Sequence, residues 1–172
     1  MLEKRELEQL DKGWTIIRII WGALFGSLAV YLLVCTLIED RLQSMSPDFP
    51  LETMQIVLFG VSILIFFITG TIRKALLNTS VRGSASALFR NPSSQIQNPA
   101  VGKYITAIVA ATALSESIGI YGVVLFFLSK DSTTLYLFLI MSAISMFYYR
   151  PRKEELWEIA AEMQKQSGER KV

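Results

Sequence analysis

Residues 104–128 form an almost wholly apolar run with one carboxylic acid, Glu116, near its middle. A carboxyl group can take up and release a proton or hold a small cation on its lone pairs. A helix of this length crosses the hydrocarbon of a bilayer, where an ionisable side chain at the centre costs on the order of 3 kcal/mol on insertion scales. Glu116 is therefore a functional candidate. Hydrocarbon tolerates the neutral form of such a group far better than the charged one. An acid that moves an ion must therefore also meet a place where its charge is stabilised. The structural alternative is a protonated Glu116 that joins helices by bonding to Ser117, Tyr121 or a backbone carbonyl. On the same helix Ala107, Ala111, Ser115 and Gly119 recur every fourth residue, with Ala110 and Gly122 beside them. That thin face admits a second helix at close range.

The elements around this run follow from composition. The chain has 172 residues, is 52% hydrophobic and carries a net charge of +2, with its charges gathered at the ends and in short segments. This is the pattern of a multi-pass membrane protein. The spacing predicts an all-α membrane protein with four transmembrane helices, arranged as two duplicated hairpins, plus amphipathic terminal helices. The divisions are 1–13, an amphipathic segment; 14–77, a first hairpin; 78–103, a loop; 104–150, a second hairpin with Glu116; and 151–172, a C-terminal amphipathic helix and tail. In the first span Gly22 and Gly26 form a G-x-x-x-G contact face, and Arg18 can snorkel to the headgroups. Ser, Asn, Gly and Pro dominate the long loop, which holds a short helix near 84–89 and the dipeptides Asn91-Pro92 and Asn98-Pro99. Ser129 to Ser132 make a tight turn. From Pro151 onward Leu156, Ile159, Ala160 and Met163 share one face, so the last helix should lie on the membrane or on a partner. Lys and Arg cluster before the first span, from Arg73 to Lys103 and after Arg150, against Arg41 and Lys130 in the other two loops. Both termini and the long loop are thus expected in the cytoplasm. Because the N-terminus opens on charged residues, no cleavable signal peptide is expected.

Laying residues 23–34 (ALFGSLAVYLLV) on residues 113–124 (ALSESIGIYGVV) matches Ala, Leu, Ser, Tyr and Val. The first helix reads as a copy of the third. Gly26 stands where Glu116 stands, so one repeat keeps the acid and the other has a packing glycine. Tyr31, the counterpart of Tyr121, has no acid beside it in sequence, so a tyrosine at this place in the repeat need not serve an ion.

The series Glu116, Ser117, Gly119, Ile120, Tyr121, Gly122 and Val124, E-S-x-G-I-Y-G-x-V, resembles the ion-carrying helix of the c subunit, the proteolipid of F-type and V-type rotary ATPases. The resemblance covers one helix. It implies that Glu116 carries a proton or sodium ion, that Ser117 is a ligand, that Tyr121 braces the carboxylate, and that many copies form a homo-oligomeric ring. It further implies a separate stator chain supplying an Arg, since no Arg lies mid-membrane here. Arg90, Asn91 and Pro92 resemble the R-[QN]-P loop motif of the family. The order of acid helix and loop differs from the family's, so the likeness is to a diverged, permuted relative. Sodium-carrying members use a mid-helix Gln; the second and fourth spans here offer Ser62, Ser142 and Ser145 instead, which favours a proton as the cargo.

Other classes have little in the sequence. There is no His, and Cys35 is the one cysteine, which excludes an intrachain disulfide and leaves no zinc or histidine-based site. No nucleotide-binding loop, nucleophile with base or carboxylate pair is present; the chain is not catalytic by itself, no cofactor is implied, and no basic stripe points to nucleic acid. Two functions remain: a proton-carrying proteolipid in the inner membrane of a prokaryote, surrounded by membrane lipid, or a scaffolding membrane protein that keeps proteolipid-like packing without transport. A small transporter subunit has only the lone acid in its favour.

Overall fold

The computed structural model describes residues 4–41, 50–78 and 98–169. Those residues form five helices and one short 3-10 turn, with no strand among them. The helices are α1 (Lys4–Ile38), α2 (Leu51–Asn78), α3 (Pro99–Ser129), α4 (Ser132–Tyr148) and α5 (Lys153–Glu169). Three of them, α1 to α3, are long and apolar enough to cross a membrane. With 17 residues, α4 reaches only ~26 Å by helical rise. It becomes a fourth candidate when joined to α5 across a 45° bend. These are the features of a multi-pass membrane protein.

The centre of the bundle is α3. Of the residues in its most apolar stretch 44% are buried, against 11% in α1 and in α2, because α1, α2 and α4 all lie on it. The α3–α4 hairpin is antiparallel and is closed by a compact turn. Lys130 takes a left-handed conformation (φ 58) and donates its N–H to the Phe126 carbonyl, ending α3. Asp131 then caps α4 by accepting from the Thr133 N–H and the Thr134 hydroxyl. By contrast α1 runs parallel to α3. Gly13 meets Val101 at one end and Leu28 meets Gly119 further along, so the two helices advance together.

Several expectations change. The described part of the N-terminal segment, residues 4–13, is not separate from the first span; α1 continues without a break for 35 residues. No proline or cap interrupts it, and Gly13 packs closely on α3, since a Cβ there would lie 2.5 Å from Val101 Cγ1. Nor does the 78–103 segment remain loop to its end. Asn98 accepts the Ala100 N–H at 3.0 Å and Pro99 follows as the first helical residue, the arrangement that opens a helix. The C-terminal helix begins at Lys153 rather than Pro151, and it lies on this chain's own helices. Leu156 and Ala160 join Leu10, Val101, Tyr104 and Ile105 in one apolar cluster. The Tyr104 hydroxyl accepts the Arg152 N–H at 2.8 Å, and Arg73 pairs with Glu155 at 2.5 Å. These polar ties fix α5 across the ends of α2 and α3. Arg90, Asn91, Pro92 and the helix expected at 84–89 lie outside the described residues.

Candidate functional site

Two faces of α3 carry side chains of interest, and they lead to different neighbours. Ser115 is fully buried toward α4. Its Oγ lies 2.7 Å from Ser145 Oγ, and Ser142 donates to the Ser115 carbonyl at 2.7 Å. Ala107, Ala111 and Gly119 are buried on the same side. A Cβ on Gly119 would come within 3.0 Å of Leu28 and 3.3 Å of Ser142. The small-residue face of α3 is therefore filled by α4 and by one turn of α1. Ser142 and Ser145 belong to this seam and do not reach the acid; Ser62, on α2, donates to the Leu58 carbonyl.

Glu116 turns instead toward α1 and is half-buried. Its Oε1 accepts two hydroxyls from that helix: Ser27 Oγ at 2.5 Å and Tyr31 OH at 2.6 Å. Ser27 and Tyr31 stand four residues apart, the spacing that puts two side chains on one helical face. The Ser27 hydroxyl also lies 2.7 Å from the Leu24 carbonyl. Among the described residues the ion pairs are Arg73–Glu155 and Lys153–Asp11, neither involving Glu116. No group of His, Cys, Asp and Glu there could hold a metal ion. The acid thus sits in an apolar seam with hydroxyl donors and no cation.

The hydroxyls expected beside Glu116 are elsewhere. Ser117 donates to the Leu114 carbonyl at 2.7 Å. Tyr121 packs with Met54, Leu58 and Ile65 of α2 against Ile118, Leu125 and Phe138. Helical geometry explains both. Residues one apart are rotated by about 100° and residues five apart by about 140°, so neither faces the acid. Their counterparts in the repeat, Ser27 and Tyr31, take those positions from the parallel helix. Tyr31, which has no acid beside it in sequence, thus meets one from the neighbouring helix. The signal was present in the register that sets Gly26 on Glu116, because the same register sets Ser27 on Ser117 and Tyr31 on Tyr121. What it lacked was the knowledge that α1 and α3 lie side by side.

Gly22 and Gly26 face away from the other described helices. Both are exposed, and a Cβ added to either would find no heavy atom within 4 Å. Their G-x-x-x-G face makes no contact with the described part of this chain. Set against known proteins, the chain matches no family model, no curated sequence and no solved structure.

Proposed function

We propose that this chain is a proteolipid-like subunit of a rotary ATPase or a related membrane motor, and that Glu116 takes up and releases a proton within the membrane. What carries the reading is the pair of hydroxyls on one oxygen of a mid-span carboxyl, Ser27 at 2.5 Å and Tyr31 at 2.6 Å. Hydroxyl donors stabilise a carboxylate by charge-assisted bonds, which offsets part of the cost of the charge in an apolar seam. They leave the group free of a fixed countercharge that would hold it ionised. A cation that draws the proton off then comes from a separate stator chain. The uncovered Gly22 and Gly26 face suits a neighbouring copy in a ring. Both termini lie in the cytoplasm and the membrane is the inner membrane of a prokaryote.

Reaction with a hydrophobic carbodiimide tests this directly. Labelling is expected at Glu116 alone, faster as pH falls and the carboxyl fills with protons, and absent from Glu116→Gln. Failure to label at any pH removes the carrier. One observation favours a second reading. Both hydroxyls come from the same chain as the acid, so the cluster can act as a brace that fixes α1 on α3 in a scaffolding protein. A brace predicts that wild type and Glu116→Gln assemble alike and that labelling does not vary with pH.

A further inference from the structure

We infer that Ser27 is a positioning residue that lets Glu116 Oε1 change protonation without losing its serine partner, by reversing the direction of its single hydroxyl proton. The inference rests on the proposed role of Glu116 as a proton carrier, and it states how the chain's own residues hold both forms. Ser27 Oγ lies 2.5 Å from Glu116 Oε1 and 2.7 Å from the Leu24 carbonyl oxygen. A serine hydroxyl has one proton and two lone pairs. It cannot donate to both oxygens at once.

With Glu116 charged, the Ser27 proton points at Oε1, the stronger acceptor because it bears charge. The Leu24 carbonyl then keeps only its bond within the helix. When water delivers a proton, an O–H bond forms at Oε1 and the hydronium that gave it becomes water. The carboxyl now donates to Ser27 Oγ, and Ser27 swings its own proton to the Leu24 carbonyl. Throughout, Tyr31 donates to Oε1 from its place at 2.6 Å. Oε1, Ser27 Oγ and the Tyr31 hydroxyl each have a partner in both forms, which removes the penalty of an orphaned polar group, about 1–3 kcal/mol, at these three atoms.

The surroundings keep this exchange local. Tyr31 is the titratable group that faces Glu116 from α1. Of the others in the spans, Arg18 lies nine residues before Ser27 on α1, or ~13 Å by helical rise. Cys35 is buried with Phe126 and Leu135, and Tyr121 is turned to α2. From α2 and α4 the residues at this depth carry no ionisable side chain; Ser142 and Ser145 are engaged with Ser115.

The test is an infrared pH titration of the full chain in lipid nanodiscs, with Glu116→Gln identifying the carboxyl band. Wild type is expected to show a band that rises as pH falls. Ser27→Ala should move its midpoint about one pH unit or more toward high pH and shift the C=O stretch. Ser27→Thr, which keeps the hydroxyl, should restore both. The inference is overturned if Ser27→Ala titrates with the wild-type midpoint and stretch, or if Ser27→Thr behaves as Ser27→Ala does. If no wild-type band titrates, the carrier reading falls and this assignment with it. If the wild-type band titrates and Ser27→Ala matches it, the assignment alone falls.

Discussion

The two seams on α3 begin at adjacent residues and are built for different work. Ser115 opens the seam with α4, where three hydroxyls, Ser115, Ser142 and Ser145, are fully buried and bonded to one another or to backbone. Nothing there titrates. Glu116 opens the seam with α1, where one half-buried carboxyl gathers Ser27 and Tyr31. A neutral hydroxyl seam keeps the same proton count at every pH, so it can hold α3 on α4 as a fixed unit. A carboxyl seam has two, because its proton count can change. Setting the two seams about 100° apart on one helix lets the second alter without disturbing the first.

The comparison is broken most sharply by adding a methyl group to the fixed seam. A Cβ on Gly122 would lie 2.6 Å from Phe138 Cβ and 3.3 Å from the Leu135 carbonyl oxygen, and neither atom belongs to the free end of a flexible side chain. Gly122→Ala should therefore destabilise by about 2 kcal/mol, even though alanine is the better helix former. Its thermal midpoint in detergent should drop well below that of Gly119→Ala, whose Cβ meets Leu28 Cδ2, the end of a side chain, at 3.0 Å. Equal midpoints for the two would mean that the backbone and Cβ atoms around Gly122 give way as readily as the side-chain ends around Gly119. Next in size is Tyr31→Phe, which removes one hydroxyl from the acid. Bonds of this kind within membranes are worth ~0.6 kcal/mol on average. The variant should lose about that much stability while its carbodiimide labelling moves to a different pH. A loss of stability with labelling unchanged would make Tyr31 a strut only.

How far this arrangement can be read without coordinates depends on whether the cause is local. Three spans are visible because apolar length alone marks them, and the thin face of α3 is visible because Ala107, Ala111, Ser115 and Gly119 repeat at helical spacing. The turn at Ser129 to Ser132 shows in its polar residues. The partners of Glu116 do not show in the same way. They come from another helix, and a motif read along one helix assigned the acid to Ser117 and Tyr121, which its own geometry turns away. Gly22 and Gly26 repeat at the same spacing as the α3 face yet stand uncovered, since spacing marks a surface that could pack and not what packs on it. For the same reason the amphipathic stripes of the two ends, around Leu10 and Leu156, read as membrane or partner surfaces, whereas they cover each other.

The open glycines give a smaller effect with a clear sign. With nothing within 4 Å of a Cβ at position 26, Gly26→Ala should leave the isolated chain unchanged or raise its stability by less than about 1 kcal/mol. A disrupted assembly in native mass spectrometry, with the monomer intact, would locate a neighbouring copy on this face and extend the comparison to a third seam.

The smallest effect lies at the turn that ends the fixed seam. There the Asp131 carboxylate is held below its ordinary range, chiefly by the Thr134 hydroxyl and also by the Thr133 and Thr134 N–H groups, against a smaller opposing effect of burial. A carboxyl lowered on folding is bound more favourably in its charged form. Its contribution is therefore complete above the unfolded value, near 3.8, and is lost as pH falls through the lower folded value. The thermal midpoint should accordingly decline slightly below about pH 4. Asp131→Asn keeps an N-cap oxygen but cannot titrate, so it should flatten that acid limb. The same decline in Asp131→Asn would trace the loss to another carboxyl.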